Sequence, residues 1–228
     1  RSTKDCLLGI EYEMFGQINR GLTPLPFEGQ TSIQTLFRQV AKHSETTQDP
    51  LTPLLENGLM VALAGKRAVI ALEPGGQIEI AAKPHGKLTD VVTTFTAVVK
   101  EIRDEAKKLG IDLFALGIHP FAAQKDMAQV KKARYGIMRS YMGGLSGLGL
   151  DMMTRSCAIQ LNIDFTSEAD MAAKTRLAAA LMPFYSLLSS SVAFIDKKPA
   201  THAVERGHVW RHTDPARTGI PRIIFDNN

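Results

Sequence analysis

Cysteine is scarce in this sequence of 228 residues, and its two copies lie far apart. Cys6 and Cys157 show no CxxC spacing, which excludes a disulfide framework and a cysteine-based zinc site. A chain of this length builds a sizeable hydrophobic core without such cross-links. We therefore expect the protein to work in a reducing compartment.

Long hydrophobic runs are also lacking. A membrane-spanning helix needs about 20 consecutive apolar residues, and the longest candidate, residues 177–195, is interrupted by Pro183 and several serines. Arg1 leads directly into polar sequence, so we expect no signal peptide. The chain starts without methionine and stops just after the apolar run 220–225, and we expect both ends to be cut. We predict no membrane partner.

No charge of one sign dominates. The 27 lysines and arginines exceed the 23 acidic residues by a formal net charge of +4. The lysine pairs at 107–108, 131–132 and 197–198 are scattered and not interleaved with aromatic residues, which argues against a nucleic-acid partner. A modest positive field suits small anionic ligands. The glycine-rich stretch 143–149 lacks the GK[ST] ending of a P-loop, and we interpret it as a flexible connection.

The hydrophobic pattern switches between two periods, which predicts an α+β fold. A period of two, typical of strands, recurs along the chain, and residues 74–76 (Pro-Gly-Gly) join two such stretches as a hairpin. A helical period in residues 88–109 predicts an amphipathic helix that ends at Gly110. Ser167 and Asp170 resemble a capping box that opens a second long helix. The predicted strands are 7–15, 67–73, 77–81, 111–118 and 156–165; the predicted helices are 33–42, 88–109, 131–142 and 168–190, with a loop over 21–30.

No linker and no internal repeat interrupts these elements, so they predict an antiparallel or mixed sheet with helices on one face. Three of the strands carry acidic or amide side chains opposite their apolar residues. Clustered carboxylates repel one another unless cations neutralise them, and Mg2+ prefers oxygen ligands. The pattern therefore indicates either a divalent-metal site or a solvated sheet face. The residues are Glu11 and Glu13, Gln77 and Glu79, and Gln160 and Asn162.

Eight stretches of unusual composition follow one another along nearly the whole chain. Four of them are GIEYEMF at 9–15, LEPGGQIE at 72–79, RYGIMRSYM at 134–142 and GLDMMTRSC at 149–157. The others are QLNIDF at 160–165, SEADM at 167–171, HVW at 208–210 and DPARTG at 214–219. In order and spacing, these stretches resemble the signature motifs of plant-type and proteobacterial glutamate–cysteine ligases. Their length and unusual composition argue against chance.

The resemblance implies a glutamine-synthetase-like fold, an antiparallel sheet curved into a bowl with helices on its outer face. It implies that residues 1–228 are the N-terminal part of one such catalytic domain, with the bowl incomplete. The implied reaction uses ATP and Mg2+ to join the γ-carboxylate of L-glutamate, through an acyl phosphate, to L-cysteine in glutathione biosynthesis. A ligase with another amine acceptor and a non-catalytic glutamate- or nucleotide-binding module stay open. A bacterial member is expected in the cytoplasm, and a plant member in the plastid.

The resemblance also implies roles for single residues, several of which have structural alternatives. The implied metal ligands are Glu11, Glu13, Glu79 and Glu73, although Glu73 also suits a turn before proline. Gln77 is implied in cofactor binding. Arg217 and Gln160 are implied in catalysis, Arg217 by binding the glutamate carboxylate or the transferring phosphoryl group. The remaining substrate-binding candidates are Asn162, Arg155, Arg139, Tyr135 and Trp210, of which the last four also suit structural roles.

Members of this family normally continue far beyond the length of this sequence. Their C-terminal half adds a strand with a Glu-x-Arg motif, and no candidate for it follows Phe225. The resemblance therefore implies a C-terminal half or a second chain as a partner. Whether the 228 residues are active alone, the acceptor specificity and the oligomeric state stay open at this point.

Overall fold

The computed structural model describes Ser2 and residues 5–18, 22–145 and 147–225. Within these residues, seven strands form one sheet, two short strands form a hairpin, and six α-helices surround them. The strands are β1 (Leu8–Ile18), β2 (Thr52–Glu56), β3 (Leu59–Ala64), β4 (Ala68–Leu72), β5 (Ile78–Ala82), β6 (Ile111–Phe114), β7 (Ile159–Ile163), β8 (Phe194–Ile195) and β9 (Lys198–Pro199). The helices are α1 (Ile33–Ser44), α2 (Leu88–Lys108), α3 (Ala133–Gly143), α4 (Gly149–Arg155), α5 (Glu168–Leu188) and α6 (Glu205–Arg211).

The main sheet is antiparallel, and β1 lies in its interior. The order along the sheet is β2-β3-β4-β5-β1-β6. One edge of β1 pairs with β5, while the other edge is shared, because residues 8–12 pair with β7 and residues 15–18 pair with β6. Among the described strands the sheet stays open and forms no barrel. The predicted α+β class and antiparallel sheet are confirmed.

The core fills the space between one face of the sheet and helices α1 and α2. Ile78 and Ile80 of β5 are fully buried and share a hydrophobic cluster with Phe37 of α1 and with Val98 and Ile102 of α2. Burying one such side chain contributes about 1.5 to 3 kcal/mol relative to exposing it. Because side chains alternate along a strand, the residues between these core positions point to the opposite face.

The hairpin of β2 and β3 is absent from the sequence prediction. Its turn places Asn57 and Gly58 at positive φ, 52° and 78°, and Asn-Gly is the pair that tight hairpin turns favour. Pro53 obscures the strand pattern of β2, since proline in a sheet is confined to edge positions. The strand does lie at the edge of the sheet.

Other predicted elements differ from the structure mainly at their ends. The strand predicted over 111–118 ends at Phe114, and the strand predicted over 156–165 is restricted to β7. Helices α4 and α6 are absent from the sequence prediction, because they are too short to show a clear hydrophobic period. The predicted loop over 21–30 forms no helix or extended strand from residue 22 onward. Gly21 in this loop and Ser146 in the glycine-rich stretch lie outside the described residues.

The apolar face of the strand predicted over 156–165 is largely exposed. Cys157 is buried, but Ile159, Leu161 and Ile163 are 61%, 57% and 54% exposed, because nothing among the described residues packs over them. Helix α5, 21 residues long, contains no buried residue within the described part of the chain. None of the described helices combines the length and apolar character needed to cross a membrane.

Candidate functional site

The register of the sheet brings the predicted polar residues onto one face. Glu13 lies directly opposite Glu79 in the β1–β5 pairing, and Glu11 lies opposite Gln160 in the β1–β7 pairing. Directly opposed residues point to the same face of a sheet. Nδ2 of Asn162 donates a hydrogen bond of 2.9 Å to Oε1 of Glu11. These five residues, here called the carboxylate row, therefore lie together on the face opposite α1 and α2.

Burial and repulsion disfavour the charged forms of the carboxyl groups of Glu13, Glu73 and Glu79. Burial, together with the charges of Glu73 and Glu79, raises the pKa of Glu13 to about 7, although a hydrogen bond from the Ala158 N–H opposes the shift. Burial is also the largest cause that raises the pKa of Glu73 and the pKa of Glu79. A nearby cation stabilises the charged form of such groups.

The carboxylate row offers oxygen ligands to a hard cation. Within the described residues, no three His, Cys, Asp or Glu side chains converge closely enough to hold an ion by themselves. Mg2+ is commonly bound by one or two carboxylates and completes its shell with water and substrate phosphates. The row therefore suits a metal ion that is also bound by a phosphate better than an ion whose ligands all come from the protein.

A cavity of about 420 Å³ opens beside Glu13 and is here called the first cavity. Polar and apolar residues both line it, a combination that suits a small charged ligand with a short hydrocarbon segment. The structure brings five of the predicted site residues to this cavity, and the thioether side chains complete its apolar wall. The predicted residues are Glu13, Glu73, Gln77, Gln160 and Trp210; the methionines are Met138, Met152 and Met153.

Arg206 lines the same cavity and is missing from the sequence prediction. Helix α6 presents Arg206 and Trp210 one turn apart, with the guanidinium carbon 5.3 Å from the centre of the indole ring. The Nε–H of Arg206 donates a hydrogen bond of 3.1 Å to the Cys157 carbonyl. Burial lowers the pKa of Arg206, and the charge of Glu13 opposes this shift. The sequence signal was the arginine one helical turn before the tryptophan of the HVW motif.

Three predicted site residues bind the backbone around the β4–β5 turn. The Tyr135 hydroxyl and the Arg139 guanidinium donate hydrogen bonds of 2.7 and 2.8 Å to carbonyls of this segment. Gln77, only 2% exposed, accepts a bond of 2.9 Å from an N–H of the turn and donates one of 2.8 Å to the Ser156 carbonyl. These contacts fix the turn that carries Glu73. The substrate and cofactor roles of the three residues stay predictions.

Two predicted arginines are held in ion pairs and are not among the described residues that line the first cavity. Arg155, only 4% exposed, contacts Asp151 at 2.7 Å and Asp196 at 2.8 Å. Arg217 contacts Asp214 at 2.8 Å, and its side chain is 66% exposed. The substrate-binding role of Arg155 and the catalytic role of Arg217 therefore stay predictions.

An open antiparallel sheet with a carboxylate row beside a small mixed cavity has the polar groups and the volume that suit a small charged ligand. The family model described as glutamate-cysteine ligase family 2 (GCS2) matches residues 7–228. The chain belongs to this family. The resemblance drawn from the sequence motifs is confirmed.

Curated plant proteins are similar to the chain along its whole length. It is 34% identical over 227 residues to "Glutamate--cysteine ligase, chloroplastic" of Medicago truncatula and to the protein of that name in Arabidopsis thaliana. It is 32% identical over 228 residues to the Brassica juncea protein of the same name. These matches cover 99% or 100% of this chain but only 42% or 43% of the relatives. The chain thus spans less than half the length of the curated relatives it matches.

Proposed function

We propose that the chain forms part of an ATP-dependent ligase that joins the γ-carboxylate of L-glutamate to the amine of L-cysteine, giving γ-glutamylcysteine for glutathione biosynthesis. The main support is the carboxylate row beside the first cavity, in a chain that belongs to the glutamate–cysteine ligase family. The plant relatives are named glutamate–cysteine ligases, which agrees with this reaction.

The proposal includes a glutamine-synthetase-like fold, with residues 1–228 as the N-terminal part of a single catalytic domain. An open antiparallel sheet with α1 and α2 on one face and the carboxylate row on the other supports it. In a curved sheet of this kind the helices lie outside and the carboxylate row faces the inside of the bowl.

Phosphoryl transfer requires the protein mainly to position its reactants and to neutralise charge. Glu11, Glu13, Glu79 and, at the turn, Glu73 are the residues that would hold Mg2+, which would supply positive charge to neutralise the phosphates of ATP. The γ-carboxylate of glutamate displaces ADP from the terminal phosphate of ATP, and the cysteine amine then displaces phosphate from the acyl carbon.

The polar side chains around the row suit the substrates. Arg206 at the first cavity and Arg217, which lies outside the lining of that cavity, offer forked N–H donors to a carboxylate or phosphoryl group. Gln160 and Asn162 present amide groups next to Glu11, and Trp210 forms an apolar wall. Tyr135, Arg139 and Gln77 hold the Glu73 turn in place, and they support the site in that way even without touching a substrate.

The uncovered apolar surface supports the proposal that a further polypeptide segment is a partner of this chain. Among the described strands, β7 pairs with β1 alone. Most large exposed hydrophobic residues of the described chain lie at or beyond Ile159, whereas Val209 is the sole buried hydrophobic residue described in that region. We propose that this surface is covered by the part of the relatives that has no counterpart in these 228 residues. That part belongs either to the same polypeptide or to a second chain.

The relatives are named chloroplastic, which favours the plastid as the location of a plant protein. For a bacterial protein we propose the cytoplasm.

The test is phosphate release with Mg2+-ATP and L-glutamate, with and without L-cysteine, in the parent protein and in Glu13→Gln. We expect release that depends on glutamate and cysteine and is abolished by Glu13→Gln, with circular dichroism unchanged. Release that depends on another amine instead of cysteine would redirect the proposal to a related carboxylate–amine ligase. The alternative is that the protein binds glutamate but releases no phosphate, even after the remaining part of the relatives is supplied. That outcome would identify a non-catalytic binding module.

A further inference from the structure

Three histidine rings stack against one another at helix α6. The rings of His202 and His208 lie face to face, with their centres 3.8 Å apart and their planes 14° from parallel. The ring of His212 contacts the ring of His208 with the centres 4.3 Å apart and the planes at 38°. His208 and His212 are one helical turn apart, and His202 precedes the helix. The three residues are here called the histidine stack.

The residues of the histidine stack also fix the two ends of α6. At the start of the helix, Glu205 is only 5% exposed and accepts a hydrogen bond of 3.0 Å from the His202 N–H, and its carboxylate lies 3.2 Å from Nδ1 of His202. At the other end, the His212 carbonyl accepts a bond of 2.8 Å from the Leu148 N–H. Nδ1 of His212 lies 2.8 Å from the His208 carbonyl. A helix of seven residues is not stable alone in water, so its position depends on contacts such as these.

The same short helix carries part of the lining of the first cavity. Arg206 and Trp210 both line that cavity. Residues two positions apart on a helix do not face each other, so His208, which lies between them in sequence, points away from the cavity. The histidine stack therefore holds α6 from one side, and the cavity lies on the other. A movement of α6 moves the Arg206 and Trp210 side of the cavity.

The stack opposes protonation of its central ring. Burial is the largest cause that lowers the pKa of His208 from the ordinary value of 6.5, and the charges of His202 and His212 lower it further. An opened stack exposes His208 to water and takes up a proton more readily than the closed stack. Acid below about pH 6.5 therefore favours the opened stack, and the stability of the closed stack is fully present only above that pH.

Other charged groups around the stack do not cancel this effect. The charge of Glu205 raises the pKa of His208, and the charge of Arg211 lowers it. The glycine-rich stretch 143–149, which bonds to His212 through Leu148, contains no titratable side chain. The remaining charged residues on the bordering segments are held in ion pairs: Asp151 with Arg155 at 2.7 Å on α4, and Asp214 with Arg217 at 2.8 Å after α6.

We propose that the histidine stack is a proton-sensitive clamp on α6, closed at neutral pH and opened in mild acid. The closed stack holds Arg206 and Trp210 at the first cavity. A proton on His208 places a charge next to two further imidazoles that acid also charges, at ring separations of 3.8 and 4.3 Å. Like charges at such distances repel one another, which separates the rings and lets α6 move. Because α6 lines the first cavity whatever ligand binds there, the clamp does not depend on the ligase function.

Trp210 allows the position of α6 to be measured directly, because it is the sole tryptophan of the chain. Its ring lies 5.3 Å from the guanidinium carbon of Arg206. Acrylamide quenching of its fluorescence lifetime gives a rate constant for access to the ring, which does not depend on the starting intensity. The measurement compares about pH 8 with about pH 5.5, on either side of the ordinary histidine pKa. EDTA keeps metal ions from the histidines and from the carboxylate row.

Two variants separate the stack from other groups that titrate in this range. His208→Phe keeps a flat ring in the stack and removes its titratable nitrogens. His85→Gln is the matched control, since His85 bonds to Thr94 at 3.1 Å and is not part of the stack. Glu13, whose pKa is raised to about 7, is present in both variants. Circular dichroism at about pH 8 checks that each variant is folded.

We expect the rate constant to rise about twofold or more on acidification in the parent and in His85→Gln, and to stay constant in His208→Phe. The clamp is overturned if the parent shows no rise, or if His208→Phe shows the same rise, which would assign the change to Glu13 or to general acid unfolding. If His208→Phe does not fold, His202→Gln decides instead. It removes one charged neighbour of His208 and should reduce the rise, and an unchanged rise in a folded His202→Gln also overturns the clamp.

Discussion

At the scale of single residues, Glu13 shows how several neighbours determine the pKa of one carboxyl group. A backbone N–H and the Arg206 guanidinium stabilise its charge, while burial and the charges of Glu73 and Glu79 oppose it. The opposing effects win, and the pKa rises from 4.5 to about 7. Such a group holds a proton near neutral pH and releases it when a cation arrives.

This shift predicts how stability varies with pH in the absence of metal. Between pH 4.5 and about 7 the folded protein keeps a proton on Glu13 that the unfolded chain loses, so the contribution of Glu13 to stability falls as pH rises through this window. Glu13→Gln removes this dependence. We expect it to exceed the parent by about 1 to 3 kcal/mol at about pH 8 and to match it at about pH 4.5. Urea unfolding in EDTA measures both; a difference independent of pH would contradict the raised pKa.

Gln77 gives a second prediction at this scale. Its amide is buried and bonded to the backbone on both sides, so Gln77→Leu leaves polar groups unpaired. We expect a loss of about 2 to 4 kcal/mol in the free energy of unfolding. Urea unfolding measures this loss, and a fluorescence titration measures Mg2+-ATP binding by the residual folded protein. Normal stability with weakened nucleotide binding would instead support the cofactor role implied by the family resemblance.

The sequence predicted the carboxylate row because a period of two fixes the face of every residue on a strand. It could not supply the register that sets Glu13 opposite Glu79, since pairing depends on residues far apart in the chain. Arg206 was missed for a related reason. Its partners Glu13 and Cys157 come from distant segments, and a short helix such as α6 leaves little periodic signal.

At the scale of elements, the two halves of the chain differ in what stabilises their helices. Helix α1 packs Leu36 and Phe37 in the core, and Ser32 begins it with a buried hydroxyl that accepts a hydrogen bond of 3.2 Å from the Thr35 N–H. Helix α5 begins at Ser167 with an equivalent bond of 3.2 Å, yet it buries nothing within the described residues. Its long apolar sequence predicted the helix itself but not what packs on it.

The two N-caps form a matched pair for an experiment. We expect Ser32→Ala to lower the free energy of unfolding of the 228-residue chain by about 1 kcal/mol, because α1 unfolds together with the core. Ser167→Ala should leave global stability unchanged and reduce only the helical signal. Thermal unfolding followed by circular dichroism distinguishes the two. Equal losses of global stability from both variants would show that α5 is packed as tightly as α1.

At the scale of the whole molecule, the hydrophobic core is uneven. It lies between the sheet and helices α1 and α2, while β7, α5 and the residues after them contribute little to it. An isolated helix without a packed face is only marginally stable in water. The surface around β7 and α5 therefore favours association, which the sequence could not show because hydrophobic periodicity does not say what covers a face.

We expect the 228-residue chain alone to self-associate through this surface. Leu188→Lys places a charge at a residue 85% exposed on α5 and should shift the chain toward monomer. Ile137→Lys, at a residue 74% exposed on α3, is the control and should not. Light scattering across a concentration series measures the mass of each. If both variants remain as associated as the parent, the contact lies elsewhere.

The pairing of β1 with β7 also sets the order in which the site is made during synthesis. Asn162 and Glu11 touch although 151 positions separate them in the chain, and such distant pairings form slowly and late. A ribosome releases β1 and β5 well before β7, so the carboxylates emerge long before the amides and Arg206 that complete their surroundings. The nascent chain thus carries its acidic strand as an unfinished surface, and the carboxylate row and the first cavity are complete only once roughly the last third of these 228 residues has emerged.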